Sequence, residues 1–225
     1  MHQGKEGGAL SATDYDPPQD PPEILHLDDD LLVAVKPAGL LSVPGRGPLL
    51  ADCLIARLQA AHPGVLLVHR LDRDTSGVMV FARNRAAQRH LGLQFERRHP
   101  RKSYVARVAG EIAEESGRID LPMIVDWPNR PRQKVDFTDG RAARTDWAVD
   151  RRGAGETRVR LSPLTGRSHQ LRVHMLSLGH PILGDTLYAA GAARDHPRMM
   201  LHAEVLELHH PTGGRWLRFE APAPF

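Results

Sequence analysis

The stretch Val68-His69-Arg70-Leu71-Asp72-Arg73-Asp74-Thr75-Ser76-Gly77-Val78-Met79-Val80-Phe81-Ala82 sets a polar segment between two apolar runs. Val65 to Val68 and Val78 to Ala82 have the β-branched and aromatic content of strands, and Asp-Thr-Ser-Gly between them predicts a tight connection. A loop held between strands is exposed enough to meet a substrate and fixed enough to hold geometry. A merely wet hairpin loop, its Asp and Arg neutralising each other, would have the same composition. Within it, Arg70 stands two residues before Asp72, which puts both on one side of an extended segment and turns His69 the other way.

Outward from this loop the pattern is mostly strands. Ile24 to Leu27 and Leu31 to Val35 predict a hairpin around Asp28-Asp29-Asp30, and Leu49 to Ala61 a helix with Cys53 as a small buried hydrophobe. Asn84 can cap a helix reaching Arg98, since Ala87, Leu91 and Phe95 recur at four-residue spacing. Strands are expected at 103–109, 144–150, 158–162, 199–208 and 216–220, and a helix at 168–178 closed by Gly179. Strands in succession with few helices between them predict an α+β fold with a largely antiparallel sheet.

The chain has 225 residues, one cysteine and a net charge of +3. A single Cys excludes an internal disulfide and a cysteine-rich zinc site. No apolar run approaches membrane-span length and the acidic start is unlike a secretion signal, so no membrane association is expected and the cytoplasm is the expected location. Residues 1–30 carry eight acidic side chains against Lys5 alone, which leaves about +10 on the rest. Such a basic body suits a polyanion. Almost all of the excess is arginine, with Lys only at 5, 36, 102 and 134. That bias fits bidentate phosphate contacts, and it equally fits a GC-rich genome. The segment 83–102, Arg97 and Arg98 included, holds seven cations against Glu96 and predicts a phosphate-binding face. Asp126-Trp127-Pro128-Asn129-Arg130-Pro131-Arg132-Gln133-Lys134 interleaves an aromatic with Arg130 and Arg132, as single-stranded RNA requires. Residues 1–21, rich in Gly, Asp and Pro, are expected to be a mobile lead-in, with one domain over 22–225.

His69-Arg70-Leu71-Asp72 with Thr75-Ser76-Gly77 resembles the signature of the RluA family of RNA pseudouridine synthases. Val35-Lys36-Pro37-Ala38-Gly39-Leu40, Lys102-Ser103-Tyr104-Val105-Ala106, Thr165-Gly166-Arg167-Ser168-His169-Gln170-Leu171-Arg172-Val173-His174 and Leu201-His202-Ala203 match further blocks in the family's order. The likeness covers about residues 22–225, and several long blocks in one order are far more specific than one short signature. It implies the pseudouridine synthase fold, a mixed, mostly antiparallel sheet with a central cleft. Ser42-Val43-Pro44-Gly45, the Trp127 segment and Gly179-His180-Pro181-Ile182-Leu183-Gly184-Asp185 look most like the short single-domain subgroup acting on large-subunit (23S) rRNA and a tRNA anticodon arm.

By this resemblance Asp72 is the catalytic carboxylate, acting through a covalent adduct or by removing the C2′ proton, and the residues leave both routes open. Tyr104 is the active-site tyrosine. Arg172 is the cation beside Asp72, with Arg167 as rival or phosphate holder. Arg70 fills the space of a flipped base, and His69 orients the loop. Asp74 lies outside the signature and is expected to form the turn through side-chain hydrogen bonds. The isomerisation calls for no redox cofactor or metal, no protein partner is implied, and the chain is expected to act as a monomer. Three alternatives have less support. A metal site among the late histidines lacks helical pairing, because His169 and His174 are five apart. An RNA-binding module without catalysis would not need Asp72, Tyr104 and Arg172 all intact. A hydrolase would need a second carboxylate, for which Asp74 is the nearest candidate.

Overall fold

Val78, Val80 and Ala82 pack on one side of their strand and Met79 and Phe81 on the other, all within 2% of full burial. A strand buried on both faces belongs in the middle of a sheet with a layer on each side. The computed structural model, which describes residues 15–225, has that arrangement. The strands are β1 (Glu23–Leu27), β2 (Leu31–Lys36), β3 (Leu66–Leu67), β4 (Ser76–Ala82), β5 (Arg101–Ala109), β6 (Ser116–Asp120), β7 (Met123–Val125), β8 (Gln133–Val135), β9 (Arg144–Gly153), β10 (Glu156–Pro163), β11 (Leu201–His209) and β12 (Trp216–Glu220). The described residues also hold three α-helices, α1 (Leu54–Ala61), α2 (Arg85–Glu96) and α3 (Gln170–Ser177), and three short 3₁₀ turns.

Ten strands form one sheet in the order β1-β2-β4-β11-β5-β10-β9-β6, with β12 beside β11 and β3 beside β4. Strands β7 and β8 make a separate ribbon. Among the described residues only β4 and β11 pair in parallel. The expectation of a mixed, mostly antiparallel α+β sheet is met. Helix α1 covers Leu32, Met79 and Phe81 through Leu54 and Leu58, and α2 covers Val33, Val78 and Val80 through Ala87 and Leu91. The Asn84 side chain accepts from Ala87 N at 2.8 Å, the cap that the sequence predicts.

The helix expected over 49–61 starts late. A 3₁₀ turn spans Pro48–Leu50, Cys53 is buried but extended at the N-cap of α1, and Leu49 is exposed. The N–H groups of Leu54 and Ile55 go to the Leu41 and Ser42 carbonyls, so the chain is tied to its neighbour before it can wind. Strands β6, β7 and β8 are absent from the sequence reading because they are short and interrupted by Gly117, Pro122, Pro128 and Pro131. Of the expected mobile lead-in, residues 1–14 lie outside the described residues, whereas 15–20 are pinned. Tyr15 OH donates to Asp52 O at 2.8 Å and accepts from Leu41 N, and Arg57 donates to Pro18 O at 2.7 Å. No helix among the described residues is long and apolar enough to cross a membrane.

Strands β4 and β11 touch through His202 against Ser76 and Ala203 against Gly77. Gly77 has φ +118°, and a Cβ there would lie 2.2 Å from the Ala203 carbonyl oxygen. The close approach leads the chain out of the Asp72 loop into mid-sheet, and only glycine permits it. Gly77→Ala is expected to cost about 2–4 kcal/mol. It should appear as a lower urea midpoint at unchanged slope; an unaltered midpoint would contradict the close approach.

Candidate active site

The connection from β3 to β4 is anchored by its backbone and by one apolar side chain. Leu71 is buried in the α1-side core, which leaves Arg70 and Asp72, its neighbours, to project into a cleft of about 930 Å³. The Ser42 hydroxyl donates to Leu71 O at 2.7 Å and accepts from Leu71 N at 3.1 Å. The Arg73 carbonyl accepts from Lys36 Nζ at 2.7 Å and from Gly39 N at 3.0 Å. Lys36 Nζ also donates to Pro37 O and Leu40 O at 2.8 and 2.7 Å, and the whole side chain is buried. Burial pushes the Lys36 ammonium down to about 7, while its three carbonyl acceptors use the three protons of the charged form. Thr75 N closes the turn on Asp72 O at 3.2 Å. Asp74 takes no part in that closure. Its carboxylate pairs instead with Arg73 through two hydrogen bonds of 2.7 and 3.0 Å.

Asp72 meets two groups of the segment before and within α3. Arg172 Nη1 lies 3.4 Å from Asp72 Oδ2, and His169 Nε2 lies 3.9 Å from the same oxygen. Arg172, though, has a nearer partner. Its Nε and Nη2 each donate to Asp185 at 2.7 Å, and Asp185 also accepts from the N–H groups of Leu187 and Tyr188. Burial opposes the Arg172 charge, but Asp185 and then Asp72 hold its pKa above the usual arginine value. The bidentate pair fixes the plane of the guanidinium and aims its remaining edge at Asp72. His169 sits at the N-cap of α3 with φ +53°, its Nδ1 2.8 Å from Tyr188 OH. Gln133 N donates to the same phenol at 2.6 Å, so the phenol proton is assigned to His169 Nδ1 and the imidazole proton to Nε2, facing Asp72. Burial lowers the His169 pKa, with Asp72 working against it.

Tyr104 comes from β5, with Leu161 and Ala203 as its strand partners, and lines the same cleft. Burial, and then the Asp72 charge, raises its pKa, so the phenol keeps its proton. His69 accepts from Val80 N at 3.1 Å and stacks on Phe95 with ring centroids 4.6 Å apart. Burial drops its pKa to about 3, so it is a neutral strut between loop and α2. Arg70 and Arg98 are exposed and line the cleft, and the half-buried Arg167 lines it with them. Arg167 Nε donates to Ala142 O, and its turn is built by Gln170 Oε1, which accepts from Arg167 N and Thr165 Oγ1.

The remaining expected RNA contacts lie outside the cleft lining. Arg97 is exposed at the C-cap of α2. Trp127 is 65% exposed with the Arg130 guanidinium 3.2 Å from its ring centre, and Arg132 lies over the Tyr188 ring. His169, Asp185 and Tyr188 belong to the site but are not singled out by the sequence except for His169 as a metal candidate. His174, its proposed partner, turns instead to Thr145 Oγ1 and Leu121 O.

The chain belongs to the RNA pseudouridylate synthase family, RNA-modifying isomerases whose family model matches residues 30–177. It is an enzyme that converts uridine to pseudouridine in RNA. It is 53% identical over 219 residues to the dual-specificity RNA pseudouridine synthase RluA of Escherichia coli strain K12, covering 96% of this chain and all of that protein. The Yersinia pestis protein of the same description is 51% identical over 204 residues, 90% of this chain and 99% of the other. Among solved structures, human RNA pseudouridylate synthase domain containing 1 is 30% identical with a TM-score of 0.76, covering 100% of this chain and 87% of that one.

Lys36→Met would leave the Pro37 and Leu40 carbonyls without a donor in a buried site. It is expected to cost about 2–4 kcal/mol and to lower turnover by loosening the Asp72 loop. The folded chain releases the Lys36 proton near 7 and the unfolded chain only near the ordinary lysine value, so wild-type stability relative to Lys36→Met should rise with pH across that interval. Urea midpoints of both proteins against pH give the comparison; a difference that is flat or falls with pH would contradict the lowered pKa of Lys36.

Proposed function

We propose that this chain isomerises specific uridines in stem-loops of large-subunit rRNA and in the tRNA anticodon arm, with Asp72 as the catalytic carboxylate. The observation that carries the site assignment is Asp72 itself, a carboxylate inside the cleft with a guanidinium at 3.4 Å and an imidazole at 3.9 Å. The other carboxylate lining the cleft, Glu96, is exposed. The reaction breaks C1′–N1, forms C1′–C5, moves a proton onto N1 and releases one from C5. Asp72 either attacks a substrate carbon or removes the C2′ proton. Arg172 and His169 are positioned to hold its orientation, and the protonated Tyr104 phenol to stack on the uracil and donate a hydrogen bond.

Uridine in a folded loop must leave its stack to reach Asp72, at about a few kcal/mol. Arg70, exposed beside Asp72, has the flat cation to take the vacated place. The basic face around Arg97 and Arg98 and the Trp127–Arg130 platform are assigned to the flanking RNA, because an indole this exposed is free to stack on a base. We assign residues 22–225 as one catalytic domain, working as a monomer in the cytoplasm. The dual substrate is supported by the 53% identity to a relative described as dual-specificity.

Asp72→Asn is expected to lower turnover about 10³-fold or more while RNA affinity stays close to wild type. Tritium release from C5-labelled uridine together with filter binding separates the two effects. Near-normal turnover would remove Asp72 from the chemistry. In the same assay, isolated rRNA and tRNA anticodon stem-loops should both be turned over by the wild-type enzyme. Turnover on one alone, even at high enzyme, would make it a single-target enzyme.

A further inference from the structure

Many arginines outside the cleft are spent on carboxylates. Arg57, Arg73, Arg107, Arg118, Arg144 and Arg158 each lie within 3.0 Å of an Asp or Glu oxygen. Six cations lining the cleft have no such partner among the described residues: Arg70 stands two residues from Asp72, Arg101 lies over the Trp216 ring, and the other four are Arg98, Lys102, Arg141 and Arg167. These four arrive from three separate places, the α2–β5 corner, the segment after β8 and the turn after β10. Lys102 is largely buried, and its Nζ stands against Gly166, 3.7 Å from where a Cβ would be. After burial, the charges of Arg141 and Arg98 press on Arg167, and that of Arg98 presses on Lys102.

Arg98 adds a separate observation. It closes α2 in the left-handed region at φ +59°, where its neighbour His99 N reaches back to Gln94 O. Glycine is the low-strain residue at such a helix end. An arginine kept there at the expense of strain, and aimed into the cleft, points to a role for its charge. Unneutralised cations brought together from distant segments attract an anion from the substrate, and the anions of an RNA strand are its phosphodiesters.

We propose that Arg98, Lys102, Arg141 and Arg167 form a phosphodiester seat that grips the RNA backbone next to the uridine delivered to Asp72. This deepens the RNA-isomerase reading and rests on it. The seat is separate from the residues assigned to the chemistry and from the Trp127 platform. Arg172 is not part of it, because its guanidinium is already occupied by Asp185.

The test places one methylphosphonate at a time along a stem-loop substrate, with 2′-O-methyl sugars at the altered linkage and in matched phosphodiester controls. Equilibrium binding is then measured for the wild type, Lys102→Gln and Arg141→Gln. Neutralising one or two linkages flanking the target uridine is expected to weaken wild-type binding about tenfold. The same linkages should cost the Lys102→Gln protein clearly less than they cost the wild type, because one of the four interacting charges is already gone. The salt dependence of log affinity should flatten by about 0.7–0.9 for each variant. Arg141 is exposed, so its variant serves if Lys102→Gln does not fold. A flat scan near the uridine, or losses that simply add to those of both variants, would overturn the seat. Wild-type turnover on the unmodified stem-loop is run alongside: absence of product there overturns the isomerase reading, and product with a flat scan overturns the seat alone.

Discussion

A fully buried lysine holds the site in place. Lys36 donates to the carbonyls of Pro37, Leu40 and Arg73, so the edge of β2 and the loop before β4 share one ammonium. Burying a charge without a carboxylate is tolerable only when all of its donors are satisfied. That requirement fixes the carbonyl of Arg73 inward, and with Ser42 on Leu71 it fixes the peptide planes on both sides of Asp72. The alternation of an extended chain then sends Leu71 into the core and Arg70 and Asp72 into the cleft. A loop with this many internal acceptors has little freedom left for its carboxylate.

The far wall of the cleft is built on a second buried charge pair. Asp185 takes two hydrogen bonds from Arg172 and two from backbone N–H groups, and the guanidinium packs over Tyr188. One face of Arg172 is therefore structural, and only what remains is offered to Asp72. Tyr188 extends the same network to His169, and so to Asp72 from another side. Removing one partner from a buried pair of this kind is costlier than the pair's own net contribution, because the other charge stays behind unpaired. Changes at Asp185 would thus reach the cleft even though Asp185 makes no contact with Asp72.

Cations divide by what they meet. Those on strand surfaces find carboxylates across the sheet, and such exposed pairs contribute little to stability. Apart from Arg172, those lining the cleft find none among the described residues, and Trp127 and Phe137 stand exposed beyond it. The protein thus keeps its unsatisfied charge and aromatic surface on the parts that a polyanion would cover. The net charge of +3 conceals this division.

Local rules carried much of the fold. The apolar run through 78–82, the Asn84 cap and the Asp28 turn are properties of a few neighbouring residues, and each is found where the sequence puts it. Asp28 Oδ1, for example, accepts from Asp30 N and Leu31 N. The motif blocks also brought Asp72, Tyr104, Arg172 and Arg70 to one cleft. Only the tertiary structure decided their partners. Asp72 and Arg172 are 100 residues apart and meet through the order β4-β11-β5, which no local periodicity encodes. Asp185 rather than Asp72 is the first partner of Arg172, Asp74 turns to Arg73 rather than to the turn backbone, and His169 faces Asp72 from a left-handed cap. Each of these is settled by which groups are buried together, since a buried donor or acceptor must find a partner wherever the packed chain has placed one.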